Sequence, residues 1–176
     1  MTTNLDQLRF PVGKFVAPDT WTKEELFRWI AEIAVLPGQI GMLMQRLSEE
    51  DLDTPYRPGG WTVRQVIHHL PDSHMNAYLR FKWTLTEEHP TIKPYDEELW
   101  AKLPDTAKTS PHVSLTLLDA LHHRWVVLLK NMAEDDWQRT YYHPVSQKTY
   151  YLGQVCALYA WHGRHHAAHI ELVLNQ

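Results

Sequence analysis

The spacing of apolar residues along the chain predicts four long amphipathic helices. Apolar side chains recur every three or four positions, as they do on the buried face of a helix, in residues 20–53, 61–88, 113–137 and 152–176. Thr22, followed by Glu25 three residues later, has the pattern of a capping box at the start of the first helix. Four such helices are typical of a four-helix bundle, so we expect one all-α domain over residues 1–176.

The segments between these helices carry the signals of loops and turns. Proline and glycine predict an extended arm over residues 1–20 and a loop over residues 54–60. Residues 89–112 contain several prolines and no clear period, which predicts a long crossover along the surface. In residues 139–153, Tyr and Thr alternate around a polar centre, as in a short β-hairpin.

Two prolines lie inside predicted helices. Pro37, which is followed by Gly38, predicts a kink or bend in the first helix. Pro71 lies in the second helix, where a proline removes a backbone hydrogen bond and crowds the preceding turn. We therefore expect that Pro71 can change the rotation of the residues that follow it.

Composition excludes several classes of function. The formal net charge is −4 and the pI is near 6.3, so no basic surface for nucleic acid is expected. The longest apolar runs are shorter than the roughly 18 residues of a spanning helix, and the N-terminus lacks the apolar core of a signal peptide. The single cysteine, Cys156, excludes an internal disulfide and fits a reducing cytoplasm. What stands out is the content of 12 histidines.

Four of these histidines fall within "WHGRHHAAHI" on the last predicted helix. His162 and His166 form one pair at i, i+4, and His165 and His169 form a second, and this spacing lets two imidazoles reach one cation. The apolar stripe of this helix runs between His162 and His166, whereas the other pair lies near its edge. A divalent ion would satisfy two core-facing imidazoles at once. The pattern therefore favours His162 and His166 as metal ligands, with His165 and His169 supporting them or lying at the rim.

A third ligand is expected from the second helix, which offers His68, His69 and His74. Relative to the apolar stripe of this helix, His74 points inward, and His68 and His69 flank the stripe on opposite sides. Because Pro71 can reset the rotation, periodicity does not choose among them. The remaining candidates are expected to pack in the core or contact solvent: His122, His123 and Trp125.

The segments "GGWTVRQVIHHLPDSHMNAYLRFK" and "YAWHGRHHAAHI", in this order, strongly resemble the DinB superfamily and, within it, the YfiT-like metal-dependent hydrolases. The resemblance implies a four-helix bundle and one divalent metal ion, zinc or nickel, bound by three histidines. Transferred by motif, these are His69, which precedes Leu70, together with His162 and His166. The resemblance also implies a homodimer. Pro71 departs from the family pattern and keeps His74 as the alternative ligand.

Three histidine ligands leave coordination positions open, which is typical of catalytic sites. The first expected function is hydrolysis of a small-molecule substrate by metal-activated water. The second is transfer of a low-molecular-weight thiol to an electrophile, as in the related bacillithiol S-transferases, and the third is a stress protein whose metal only stabilises it. Asp72 and Glu171 are general-base candidates by proximity in sequence alone, and we expect a cavity lined by Trp, Tyr and Met.

Overall fold

A computed structural model describes residues 5–176, which form four long helices, four short helices, one 3₁₀ helix and a two-stranded sheet. The elements before the crossover are α1 (Leu5–Arg9), α2 (Lys23–Met44), α3 (Glu49–Leu52) and α4 (Val63–Thr86). They are followed by α5 (Glu97–Trp100), α6 (Pro104–Lys108), α7 (Pro111–Lys130), the 3₁₀ helix (Asp135–Gln138), β1 (Thr140–His143), β2 (Lys148–Tyr151) and α8 (Leu152–Leu174).

The four long helices α2, α4, α7 and α8 form the predicted bundle. Helix α2 packs against α7 and α8, and α4 packs against the same two helices. The first and second long helices, α2 and α4, therefore lie across one diagonal of the bundle, and the third and fourth, α7 and α8, lie across the other. This arrangement brings α4 and α8, which carry the candidate ligands, into direct contact.

The core consists of two hydrophobic clusters at different heights in the bundle. Every long helix passes from one cluster to the other near its middle, for example between Ile33 and Leu36 on α2 and between Leu118 and Trp125 on α7. On α4 and α8 the change occurs across the segments 70–77 and 160–170. The buried histidines of three helices lie at this level, so a polar layer separates the two apolar parts of the core.

The helix starts follow from local capping. The Thr22 hydroxyl accepts a hydrogen bond from the Glu25 N–H at 3.1 Å, and the Glu25 carboxylate accepts from the Thr22 N–H at 2.9 Å, which is the predicted capping box. Thr62 and Gln65 form the same arrangement at the start of α4. The capping box therefore fixes where α4 begins, with its cap Thr62 seven residues before His69.

Several predicted boundaries were wrong. The first long helix ends at Met44 rather than near residue 53, because Ser48 caps a separate short helix, α3. Part of the predicted N-terminal arm is helical, as α1, and residues 1–4 of that arm lie outside the described residues. The third long helix ends at Lys130 and is followed by the 3₁₀ helix. The crossover over 89–112 contains α5 and α6.

Neither internal proline ends its helix. Helix α2 continues through Pro37 and Gly38, and α4 continues through Pro71. Both prolines are buried, so each ring fills space in the core at the position where the backbone loses a hydrogen bond.

The predicted β-hairpin is confirmed. Its strands β1 and β2 are antiparallel, with Thr140 opposite Tyr151 and His143 opposite Lys148. Strand β2 runs directly into α8 at Leu152. The hairpin therefore fixes where the helix with the "WHGRHHAAHI" segment begins.

Among the described residues, α2 is the one helix long and apolar enough to cross a membrane by length and composition alone. The short apolar runs of the sequence had not indicated such a helix. The apolar face of α2 packs against α7 and α8 and supplies core residues that include Ile33, Leu36 and Ile40. A helix in the core of a bundle can have the same length and apolar composition as a membrane-spanning helix.

Candidate metal centre

The structure brings His69 of α4 together with His162 and His166 of α8. Their potential ligand atoms all lie within 4.8 Å of one another. The Nε2 atoms of His69 and His162 are 3.3 Å apart. His69 and His166 are buried, and His162 is partly exposed. These are the three histidines that the family resemblance had indicated.

The imidazoles are held in the neutral form that metal ions require. Burial lowers the pKa of His69 to about 4, and burial together with the neighbouring histidines lowers the pKa of His162 and His166 well below the usual value. Two nitrogen ligands of a tetrahedral zinc ion, each about 2.0–2.1 Å from the metal, are separated by about 3.3–3.4 Å. The observed spacing of the two Nε2 atoms, 3.3 Å, fits this geometry.

A chain of hydrogen bonds behind His162 runs across the bundle from α8 to α2. His162 Nδ1 lies 3.1 Å from His74 Nε2, and His74 Nδ1 lies 2.8 Å from His122 Nε2. His122 Nδ1 lies 2.6 Å from the carbonyl oxygen of Ile33. Each of the four long helices contributes one member of this chain.

The carbonyl oxygen of Ile33, at the end of this hydrogen-bond chain, determines which ring nitrogen of each histidine carries a proton. A carbonyl oxygen can only accept, so His122 donates its Nδ1–H to Ile33. Burial lowers the pKa of His122 to about 4, which leaves its ring neutral, so its Nε2 must accept from His74. By the same reasoning His74 accepts at Nε2 from His162 Nδ1–H. The Nε2 atom of His162 is therefore left with a free lone pair directed towards His69.

A second, shorter chain orients His166. His169 Nε2 lies 3.3 Å from the carbonyl oxygen of Arg9, and His169 Nδ1 lies 3.4 Å from His166 Nδ1. Burial lowers the pKa of His169 to about 3, so its ring is neutral and donates to Arg9. His169 then accepts the Nδ1–H of His166, which leaves His166 Nε2 as the free ligand atom. Of the second histidine pair, His169 therefore supports His166, whereas the buried Nδ1 of His165 has no hydrogen-bond partner.

Aromatic rings pack against three histidines of α4 and α8. The ring of Tyr56 stacks on His169 with centroids 3.8 Å apart, and Trp161 stacks on His165 at 4.5 Å. Trp61, just before α4, meets His69 edge to face at 4.8 Å. These rings restrict the imidazoles to one orientation.

The three candidate ligands open into a cleft of about 450 Å³. Its walls carry the aromatic and apolar residues that the sequence analysis expected, although no methionine lines it. Neither general-base candidate lines it either, because Glu171 is exposed elsewhere on α8 and Asp72 faces away. The apolar wall consists of Phe10, Tyr56, Trp61, Leu158, Tyr159 and Trp161.

The other histidines of α4 have different surroundings. His68 Nδ1 lies 2.7 Å from the Ser114 hydroxyl of α7, outside the cleft. His74 is fully buried between His162 and His122, so both of its ring nitrogens are engaged. The role of His122 was missed, because a single histidine in an amphipathic helix does not reveal which backbone carbonyl of another helix it will meet.

The sequence and the fold place the chain in a known family. The sequence model of the DinB superfamily matches residues 38–170, and the chain belongs to this superfamily. A protein from Bacillus mycoides named "Putative metal-dependent hydrolase" is 52% identical over 166 residues, which cover 94% of this chain and 95% of the relative. A protein of the same name from Bacillus cereus strain B4264 is equally similar, with 52% identity over the same coverage.

A solved structure shows the same architecture. YfiT from Bacillus subtilis, described as "a probable metal-dependent hydrolase with an unusual four-helix bundle topology", superposes with a TM-score of 0.93. The two sequences are 43% identical, and the alignment covers 95% of each chain. The predicted YfiT-like four-helix bundle is therefore confirmed.

Proposed function

We propose that this protein is a metal-dependent hydrolase of a small-molecule substrate, with one divalent ion bound by His69, His162 and His166. The observation that carries the proposal is the 3.3 Å approach of His69 Nε2 to His162 Nε2, since the hydrogen-bond chain leaves the latter without a proton. A shared cation between these two nitrogens satisfies both lone pairs. Zinc and nickel both accept imidazole ligands of this kind.

The set of donors suits catalysis better than a purely structural role. Structural zinc sites are almost always closed by four protein ligands, whereas only three histidines converge here among the described residues. When bound, a divalent ion would supply a Lewis acid that polarises an electrophile and brings the pKa of a water molecule near neutrality. Three neutral ligands leave the double positive charge of such an ion uncompensated.

The side chains of the cleft have separate tasks in this proposal. The chain through His74 and His122 holds the His162 ring in place, and His169 does the same for His166. The aromatic wall binds the apolar part of a substrate and limits the access of bulk water. The opening of the cleft on the side of His162 is where a substrate can reach the ligands.

The test is hydrolysis by the metal-loaded protein of a panel of small ester and amide substrates. We expect a rate that rises with pH through the ionisation of bound water and does not respond to added thiol. His166→Ala should abolish the rate, and His123→Ala, which removes an exposed histidine of α7, should preserve it. A rate that requires thiol and saturates with it would instead establish thiol transfer. Metal binding without turnover of any substrate would indicate a metal-binding protein without catalytic activity.

A further inference from the structure

Arg80 lies on the face of α4 that carries His69. The two residues are eleven positions apart, which is close to three full turns, and Ser73 lies between them on the same face. All three residues line the cleft of the candidate metal centre. The substrate cleft therefore contains the positive charge of Arg80, which has no role in the hydrolysis proposed above.

Among the described residues, the guanidinium group of Arg80 makes no ion pair, although its charge opposes the effect of burial, which raises the pKa of Glu97 in the same cleft. No carboxylate oxygen of the described residues lies within 4.0 Å of it, and its buried Nε has no hydrogen-bond partner. It adjoins the hydroxyl of Tyr141, whose pKa is raised by burial and which is therefore a neutral partner. A buried N–H without an acceptor is costly, so this group is poised to donate to an acceptor from outside the chain.

The surroundings of Arg80 connect it to the metal centre. The Tyr159 hydroxyl donates to the carbonyl oxygen of Ser73 at 3.2 Å, and the Tyr159 ring lies 5.4 Å from the ring of His162. Burial raises the pKa of Tyr159, and the charge of Arg80 is the largest opposing influence. Tyr159 therefore contacts a candidate ligand and also lies within the electrostatic influence of Arg80. The buried hydroxyl of Tyr95, beside Ser73, also has no partner in hydrogen-bonding geometry.

The charge balance of the cleft favours an anion. Three arginines and two glutamates line it, and burial keeps its histidines neutral. Of the two glutamates, Glu98 accepts a hydrogen bond from the Trp61 indole at 3.2 Å. A divalent ion on three neutral ligands would add two further positive charges.

We propose that Arg80 binds an oxyanion group of the substrate, a carboxylate or a phosphate, while the bond to be cleaved lies at the histidine cluster. This inference rests on the proposed function, which it deepens by naming the class of substrate. The planar guanidinium can bind such a group through two parallel hydrogen bonds. The substrate is therefore a small anionic molecule rather than a neutral one.

Arg57 is the natural comparison, because it lines another part of the same cleft. Its Nη1 donates to the Pro58 carbonyl oxygen at 3.1 Å, and its guanidinium lies 5.3 Å from the centre of the Tyr56 ring. The Nε atom of Arg57, like that of Arg80, has no hydrogen-bond partner, so Arg57 differs from Arg80 in its Nη1 bond and its contact with the Tyr56 ring. Replacing it removes the same charge from the cleft without removing the proposed anion site.

The experiment uses zinc-loaded protein and a series of hydroxamic acids whose chains contain two to five methylene groups. The hydroxamate end binds divalent metal ions, and the far end carries a carboxylate, a phosphonate or a neutral amide. We expect the carboxylate or the phosphonate to bind on the order of tenfold more tightly than the amide at one or more chain lengths, as measured by titration calorimetry. The anionic probe that binds more tightly identifies the oxyanion of the substrate as a carboxylate or a phosphate.

The variants assign this preference to one residue. Arg80→Gln should remove it while binding of the amide series and the zinc content stay unchanged, Arg80→Lys should retain part of it, and Arg57→Gln should keep it. Equal binding of anionic and neutral probes at all lengths, or equal loss in Arg57→Gln, would overturn the inference alone. If no hydroxamate binds at all, the metal-centre proposal on which it rests fails as well.

Discussion

His122 Nδ1 donates to the carbonyl oxygen of Ile33 across 2.6 Å, and this contact fixes the proton positions of three histidines. Because the oxygen can only accept, the protons of His122, His74 and His162 all point the same way along the chain. The free lone pair of His162 is thus set by a backbone atom on the opposite side of the bundle. The polar layer between the two hydrophobic clusters is the path of this connection.

The ligand assignment predicts that alanine variants of two neighbouring candidates differ. His69→Ala removes a nitrogen of the converging set and should reduce metal content to near zero. In His74→Ala the three ligand atoms remain, so the metal should bind more weakly but still be present in the purified protein. Elemental analysis of both variants, with His123→Ala as the control, measures this. The assignment is wrong if His69→Ala retains a full equivalent of metal.

The hydrogen-bond chain predicts that His122 controls metal affinity without touching the metal. His122→Leu leaves His74 without its acceptor, so His162 is no longer held in one tautomer, and affinity should fall about 10–100-fold. Competition with a chromophoric chelator gives the affinity, and nitrogen NMR of the metal-free protein gives the tautomer of His162. His122→Gln, which keeps a donor and an acceptor, should lose less. An unchanged affinity in His122→Leu would contradict the role of the chain.

The site joins α4 and α8, so metal should stabilise the folded protein. An ion that binds only the folded state adds about 2.7 kcal/mol at a hundredfold excess over its dissociation constant. Addition of zinc or nickel should therefore raise the melting temperature, and a chelator should reverse the increase. His69→Ala should lose the response and His123→Ala should keep it. A melting curve that is the same before and after verified metal removal would exclude a site that bridges the two helices.

Acidification should destabilise the metal-free protein. The pKa values of His69 and His122 are lowered to about 4 from 6.5, so between these limits the unfolded chain binds more protons than the folded one. The free energy of unfolding therefore falls as the pH drops from about 6.5 towards 4. The raised pKa values of Asp72, about 6, and of Glu97 act in the opposite direction, but these are two groups against several histidines. Urea unfolding at a series of pH values checks this, and a flat profile would contradict it.

Two glycines should respond in opposite ways to a single added methyl group. A Cβ at Gly153, in the first turn of α8, would lie 2.2 Å from the rigid ring of Trp21, so Gly153→Ala should cost about 1–3 kcal/mol of stability. A Cβ at Gly38, on the exposed side of α2, meets nothing within 4 Å, so Gly38→Ala should stabilise by roughly 0.5–1 kcal/mol. Thermal unfolding of the two variants measures both. A stabilising Gly153→Ala would mean that Trp21 can move away.

The sequence by itself determined the elements that depend on neighbouring residues. The helical period gave the four long helices, the alternation of Tyr and Thr gave the hairpin, and the Thr22–Glu25 pair gave a helix start. The i, i+4 spacing placed His162 and His166 on one face of α8. All of these are local properties, in which spacing along the chain decides which groups meet.

The tertiary structure decided what depends on the packing of one helix against another. Periodicity could not choose between His69 and His74, since a helix in a bundle contacts two neighbours and the rotation after Pro71 was open. Because α4 packs beside α8, His69 reaches the cluster and His74 lies behind it. The contact of His122 with Ile33 arises in the same way, because these residues are far apart in sequence and meet only in the assembled bundle. The buried Nε of Arg80, which has no hydrogen-bond partner, likewise results from the packing of the bundle.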